Sequence, residues 1–179
     1  MLCISGRHRY FRPINLPVLA LPLGAAPVCP HKIRKSMNDL RNSERAPEPV
    51  GLYPHTRRVG NLLFLSGVGP RKRGSKEIPG VALDAQGNIA SYDIEAQCRS
   101  VFENVRLILE DAGSSWEQLV DVTVFLTNMK ADFPTYNRVY AEYFHSCQPC
   151  RTTVEINALP TPIAIELKCI ATINESPSA

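Results

Sequence analysis

The chain has 179 residues, 44% of them hydrophobic and 21% charged, with a formal net charge of +3, a size that suits one domain with its own core rather than two. The charge is unevenly placed: residues 1–36 hold six basic residues (Arg7, Arg9, Arg12, Lys32, Arg34, Lys35) and no acid, leaving 14 basic and 17 acidic residues in 37–179. A net-acidic body excludes a general nucleic-acid binder, which needs a clustered basic surface.

A basic stretch from Arg7 to Arg12 leads into an apolar run from Ile14 to Ala26 that is broken by Pro17 and Pro22. The run is too short and too interrupted to span a bilayer, so no membrane partner is expected. Residues 1–36 read as an extension outside the fold, disordered or loosely packed: a targeting peptide that is cleaved, or sequence upstream of a start at Met37. The expected location is cytoplasmic, with organellar import if residues 1–36 are a true targeting peptide. Residues 37–50 read as a polar, Pro-bearing arm, 51–174 as the domain and 175–179 as a tail.

Asn61 to Val68 is a nearly continuous apolar strand stopped by Gly67 and Gly69-Pro70, which predicts burial on both faces in the middle of a sheet. A basic loop follows, Arg71-Lys72-Arg73-Gly74-Ser75-Lys76, which reads as a solvated turn or as an anion-binding loop beside a site. From Asp93 to Ala112 the chain predicts a helix, because Ile94, Cys98, Val101, Phe102, Val105, Ile108, Leu109 and Ala112 share one face at 3.6-residue spacing. Ser91 or Asp93 is its N-cap, and Gly113 its left-handed stop. Val120 to Thr127, rich in β-branched residues, predicts a strand. Asp132 is expected to cap a second helix running to Phe144, with Pro134 in its first turn and a core-packed stripe of Phe133, Tyr136, Tyr140, Tyr143 and Phe144. Asn137 lies close to that stripe.

Six cysteines occupy positions 3, 29, 98, 147, 150 and 169. Cys147-Gln-Pro-Cys150 has C-x-x-C spacing, but without a second pair or a well-spaced His the expectation is reduced thiols and no metal. The last stretch reads as two strands: Arg151 to Ile156, and Ile163 to Ile173 with strict alternation. Folded back as an antiparallel hairpin about Ala158/Leu159, they would set Arg151 opposite Glu166, with Cβ atoms about 4.5–5.5 Å apart. Such a pair is a register-setting ion pair, or a carboxylate-gripping guanidinium beside a proton-transferring carboxyl. The element order predicts an α+β domain with both helices on one sheet face. Arg151 and Glu166 belong to the other, whose mixed polarity calls for cover by another subunit.

Taken together, Gly51-Leu52-Tyr53, Leu65-Ser66-Gly67, Glu103-Asn104-Val105, Thr123 to Leu126, Tyr136-Asn137, Tyr140 to Phe144, Arg151 to Val154 and Ile165-Glu166-Leu167 make residues 50–173 resemble the RidA (YjgF) family of enamine/imine deaminases. The resemblance implies a chorismate-mutase-like single domain, a mixed sheet with two helices packed on one face, and homotrimers with sites between subunits. Within the family, Tyr53-Pro54-His55, the basic loop, Gly80-Val81 and Arg151-Thr152-Thr153 are most similar to 2-aminomuconate deaminase of aromatic-compound catabolism. Thr153 stands where broad-specificity members often carry Cys, which removes a reactive thiol.

The resemblance further implies a cofactor-free hydrolytic deaminase. Arg151 would hold the C1 carboxylate, with the Thr153 backbone N–H beside it. Glu166 would activate water or protonate the enamine carbon. Tyr53, Ser66 and Asn137 would position the amine or the water, and Arg71, Lys72 or Arg73 would meet a distal carboxylate. The alternatives are a broad 2-iminobutanoate/2-iminopropanoate deaminase and a non-catalytic regulator that binds small carboxylates.

Overall fold

The computed structural model describes residues 40–173; the extension 1–36, the start of the arm and the tail 175–179 lie outside them. Strands β1 (Leu40–Arg41), β2 (Thr56–Val59), β3 (Leu62–Leu65), β6 (Leu119–Leu126), β7 (Cys150–Glu155) and β8 (Ile165–Thr172) form one sheet in the order β1-β2-β3-β8-β6-β7. Strands β4 (Val81–Leu83) and β5 (Ile89–Tyr92) form a separate hairpin. Helices α1 (Ile94–Asp111) and α2 (Met129–Phe144) both pack on one face of the large sheet. The expected α+β domain with a mixed sheet is therefore what forms.

The alternation read in the last strand holds over Ile165–Thr172, whereas Ile163 and Ala164 just before it are both buried. Ile165, Leu167, Cys169 and Ala171 are at most 1% exposed and face the helices, while Glu166, Lys168, Ile170 and Thr172 face the open side. Helix α1 buries every apolar position on its predicted face. Asp93 caps it by accepting from the N–H groups of Glu95 (2.9 Å) and Ala96 (3.3 Å), and Gly113 stops it at φ +83°. Two polar side chains on that buried face brace the loops around the site. Gln97 Oε1 accepts from Ala164 N–H at 2.9 Å, and Asn104 Nδ2 donates to Gly69 O and Arg71 O at 2.9 and 2.8 Å.

Three expectations are corrected. First, β7 and β8 are not a hairpin. Helix α2 is a crossover, which returns the chain parallel to β6, and β7 docks on the outer edge of that strand. The following loop then carries β8 between β3 and β6, where both of its edges are paired. Second, β3 has the central position expected, but only Leu63 and Leu65 are buried; Leu62 and Phe64 are half-exposed on the open face.

Third, α2 begins earlier than expected. Asn128 is its cap, accepting from Ala131 N–H at 3.2 Å, and Pro134 lies inside the helix rather than in its first turn. Asp132, freed from capping, points inward at 3% exposure and accepts from Tyr92 Oη–H at 2.9 Å.

Burial raises the Asp132 pKa, with the Tyr92 hydrogen bond opposing the rise. A carboxyl whose folded pKa lies above its unfolded value contributes stability that is present in acid and lost as pH rises through the folded pKa. Asp132→Asn should therefore stabilise the domain at pH 7, by on the order of 1 kcal/mol, and the gain should vanish below the ordinary carboxylate range. Thermal melts of both proteins at pH 7 and pH 3.5 check this.

Candidate active site

The open face of the sheet carries a cavity of about 680 Å³, and Glu166 of β8 lies in its wall. The remaining walls come from Tyr53 and Pro54 at the end of the arm, Ser66-Gly67 after β3, and the Pro160–Ile163 loop. Local chemistry fixes these walls. His55 Nδ1 accepts from Ser43 N–H at 2.9 Å, which places the proton on Nε2 to donate to Pro47 O at 2.8 Å. The imidazole so ties the arm to the start of β2. Ser66 N–H then donates to His55 O (2.9 Å) and Ser66 Oγ–H to Pro54 O (2.7 Å), closing the turn beside Tyr53. Tyr53 Oη accepts from Val50 N–H at 3.3 Å, leaving its own proton for the cavity.

Glu166 is half-buried, and burial raises its pKa while the charge of Arg71 opposes the rise. Its carboxyl lies directly over Gly67, where an added Cβ would stand 2.8 Å from Cδ. Gly67 is therefore glycine because a carboxyl occupies the space of a side chain. Gly67→Ala should fold, since the obstructing atoms are the end of a flexible side chain, yet turn Glu166 away. A loss of kcat of about 10-fold or more, with the melting temperature within a few degrees of wild type, is the expected result; unchanged kinetics would contradict it.

The basic loop divides. Arg71 lines the cavity and donates to Glu48 O at 2.8 Å. Arg73 instead holds the arm, donating to Ala46 O at 2.9 Å and pairing with Glu48 at 3.0 Å, and Lys72 pairs with Glu77 at 3.7 Å. Of the three basic-loop residues expected to meet a distal acid group, Arg71 is the one that lines the cavity.

Arg151 is not beside Glu166. It pairs with Val122 of β6, which is fully buried under the helices, so Arg151 lies on the helix face at the sheet edge. Glu166 pairs with Phe125 on the open face, with β6 between the two residues' strands. The expected hairpin contact is absent, and the two residues lie in separate settings on opposite faces. Arg151 has its own setting: its guanidinium stands 4.5 Å from the centroid of Tyr140 and 5.7 Å from that of Tyr136, and Nη1 donates to Asn137 Oδ1 at 2.9 Å. Asn137 thus orients Arg151. The aromatic stripe packs the core as expected and is also the shelf for the guanidinium. Among the described residues no carboxylate pairs with Arg151, so its remaining N–H groups can grip one from outside.

Thr153, two residues along the same strand, has a buried Oγ1 without a hydrogen-bond partner. Cys147 and Cys150 are free thiols, and among the described residues no three metal-ligating side chains gather. No described helix is long and apolar enough to cross a membrane.

Sequence reasoning missed the roles of Gly67, Tyr136 and Tyr140. It also missed the strand β2, which brings Arg57 to the cavity that Lys168 also lines. Gly60-Asn61, a two-residue turn with Gly60 at φ +62°, was the available signal for that hairpin.

Comparison with known proteins agrees with this architecture. The family described as Endoribonuclease L-PSP matches residues 43–173. A RutC family protein of Pyrococcus horikoshii is 40% identical over 136 residues, 75% of this chain and 98% of that protein. The chloroplastic Reactive Intermediate Deaminase A of Arabidopsis thaliana is 33% identical over 152 residues, covering 85% of this chain and 73% of that one. Among solved structures, Escherichia coli TdcF with bound serine superposes at a TM-score of 0.64 with 31% identity, covering 75% of this chain and 98% of that one. The E. coli YjgF gene product does so at 0.63 with 31% identity, covering 74% and 97%.

Proposed function

This chain belongs to the Endoribonuclease L-PSP (RidA/YjgF) family, and from that premise we propose that it is a hydrolytic deaminase of enamine/imine carboxylates whose preferred substrate is 2-aminomuconate. The observation that carries the reading is Glu166: a half-buried carboxyl with a raised pKa, set over Gly67 in a cavity that also holds Arg71. A carboxyl held protonated beyond its ordinary range can deliver a proton to the enamine carbon, giving the protonated imine. As a carboxylate it then takes a proton from the water that adds to the imine carbon. The carbinolamine so formed collapses to a 2-oxo acid, its nitrogen leaving as ammonia. Imine carbons are electrophilic, so positioning and one acid/base group supply most of what is required.

The substrate carboxylate belongs on Arg151, whose fork is pre-set by Tyr140 and Asn137. Because Arg151 and Glu166 lie on opposite faces of the sheet, the complete site takes them from two copies of the chain, the edge of one against the open face of the next. Half-exposed Leu62, Phe64 and Ile170 on that open face support such cover. The family description also names RNA cleavage, but the net-acidic residues 37–179 disfavour a polyanion.

Ammonia release from freshly generated 2-aminomuconate and from 2-iminobutanoate, measured on the full chain, tests the reading. Preference for the C6 diacid is the expected result. Equal turnover of the monoacid would make the protein a general imine scavenger. Turnover of neither would leave a carboxylate-binding module.

A further inference from the structure

The basic loop does not account for the charge of the cavity. Three cations line it, Arg57, Arg71 and Lys168, against the single carboxyl of Glu166. Arg71 is the one whose charge acts on Glu166. Arg57 and Lys168, by contrast, enter no ion pair among the described residues, unlike Lys72 and Arg73. Both rise from the open face: Arg57 pairs with Phe64 and Phe64 with Ile170, while Lys168 stands between Ile170 and Glu166 on the same side of β8. Unpaired cations sharing one cleft repel each other and focus a positive potential into it, an arrangement that favours a bound anion.

We infer that Arg57 and Lys168 form a second anion subsite that selects substrates carrying a distal carboxylate. The inference rests on the deaminase reading only for what happens at the reacting end. Glu166 and Lys168 are two residues apart on one strand, about 7 Å, comparable with the spacing between the two ends of a C6 diacid. A substrate reacting at Glu166 therefore places its far carboxylate at Lys168, with Arg57 on the cavity wall across β3. A monoacid of the same length would put a methyl group there and leave both charges unanswered. Arg57 comes from β2 and Lys168 from β8, so the subsite is built on rigid sheet rather than on the Arg71–Lys76 loop.

Two stable C6 dienes separate recognition from turnover. trans,trans-Muconate has a carboxylate at each end, and sorbate is the same chain with one carboxylate replaced by methyl. Calorimetric titration of the full-length protein should show muconate binding at least about ten-fold tighter than sorbate. In the double variant Arg57→Met/Lys168→Met the ratio should fall to about one, the loss falling on muconate. Each single variant should show part of that loss, which guards against a folding defect in the double one. Equal affinities in the wild type, or a ratio unchanged in the double variant, would overturn the subsite. Selective muconate binding without ammonia release from any imine would uphold it and defeat the deaminase reading instead.

Discussion

Arg151→Lys lowers kcat/KM for the imine substrate by about a hundred-fold or more, mostly through KM, with the fold unchanged. The substitution keeps the charge and loses everything that shapes it. The flat guanidinium stacks 4.5 Å above Tyr140 and uses one nitrogen on Asn137, so its remaining N–H groups form a fixed fork. An ammonium on a flexible stem neither stacks so well nor grips both oxygens of a carboxylate. Losing the bidentate geometry is worth about 3 kcal/mol, or roughly two decades in the binding of substrate and transition state. Stability should change by no more than about 0.5 kcal/mol, because Arg151 is exposed and no described carboxylate depends on it. Steady-state kinetics and a thermal melt of the same preparation measure both. A KM within two-fold of wild type would remove Arg151 from substrate binding.

Glu166→Gln has the largest expected effect on kcat, a fall of about 10²–10⁴-fold. Gln keeps the volume over Gly67 but neither gives nor takes the proton. The variant should be as stable as wild type or more so at neutral pH, and the sign follows from the direction of the shift. Burial raises the folded pKa above the unfolded one, so the carboxyl contributes stability in acid that is lost as pH rises through the folded value. Replacing it removes that loss. The wild-type rate profile should also show an ionisation above the ordinary carboxylate range, which the variant lacks. A Gln variant with wild-type kcat would take Glu166 out of the chemistry. One that was inactive but unfolded would reduce it to a structural group.

Local pattern carried the elements further than it carried their assembly. The alternation of Ile165 to Thr172, the single apolar face of Asp93 to Ala112 and the Asp93 cap are short-range consequences of strand and helix periodicity, and all three are realised; Ile163 and Ala164, expected to continue the alternation, are both buried ahead of the strand. Which strands pair is set by long-range competition. The stretch Cys150 to Ile173 has the composition of a hairpin, yet α2 makes β7 a parallel neighbour of β6, and β8 gains two paired edges by inserting elsewhere. That difference moved Arg151 to the opposite face from Glu166. Asp132 had the right residue type for a cap, but Asn128 won because α2 starts four residues earlier. Arg57 was invisible because Arg57-Arg58 hides the alternation of β2, and Gly67 because its reason for being glycine is a carboxyl about a hundred residues away in the chain.

The claim on which the account turns is that Glu166 of one copy works with Arg151 of another. Mixing the two inactive variants tests it directly: Arg151→Ala and Glu166→Gln are co-expressed, or unfolded and refolded together, and assayed for ammonia release. If the site is shared between copies, random mixing at equal amounts should restore about a quarter of wild-type sites, each built from the intact half of either variant. Activity no greater than the sum of the separate variants, in mixtures shown to contain both chains in one assembly, would contradict the shared site and place the chemistry within a single chain.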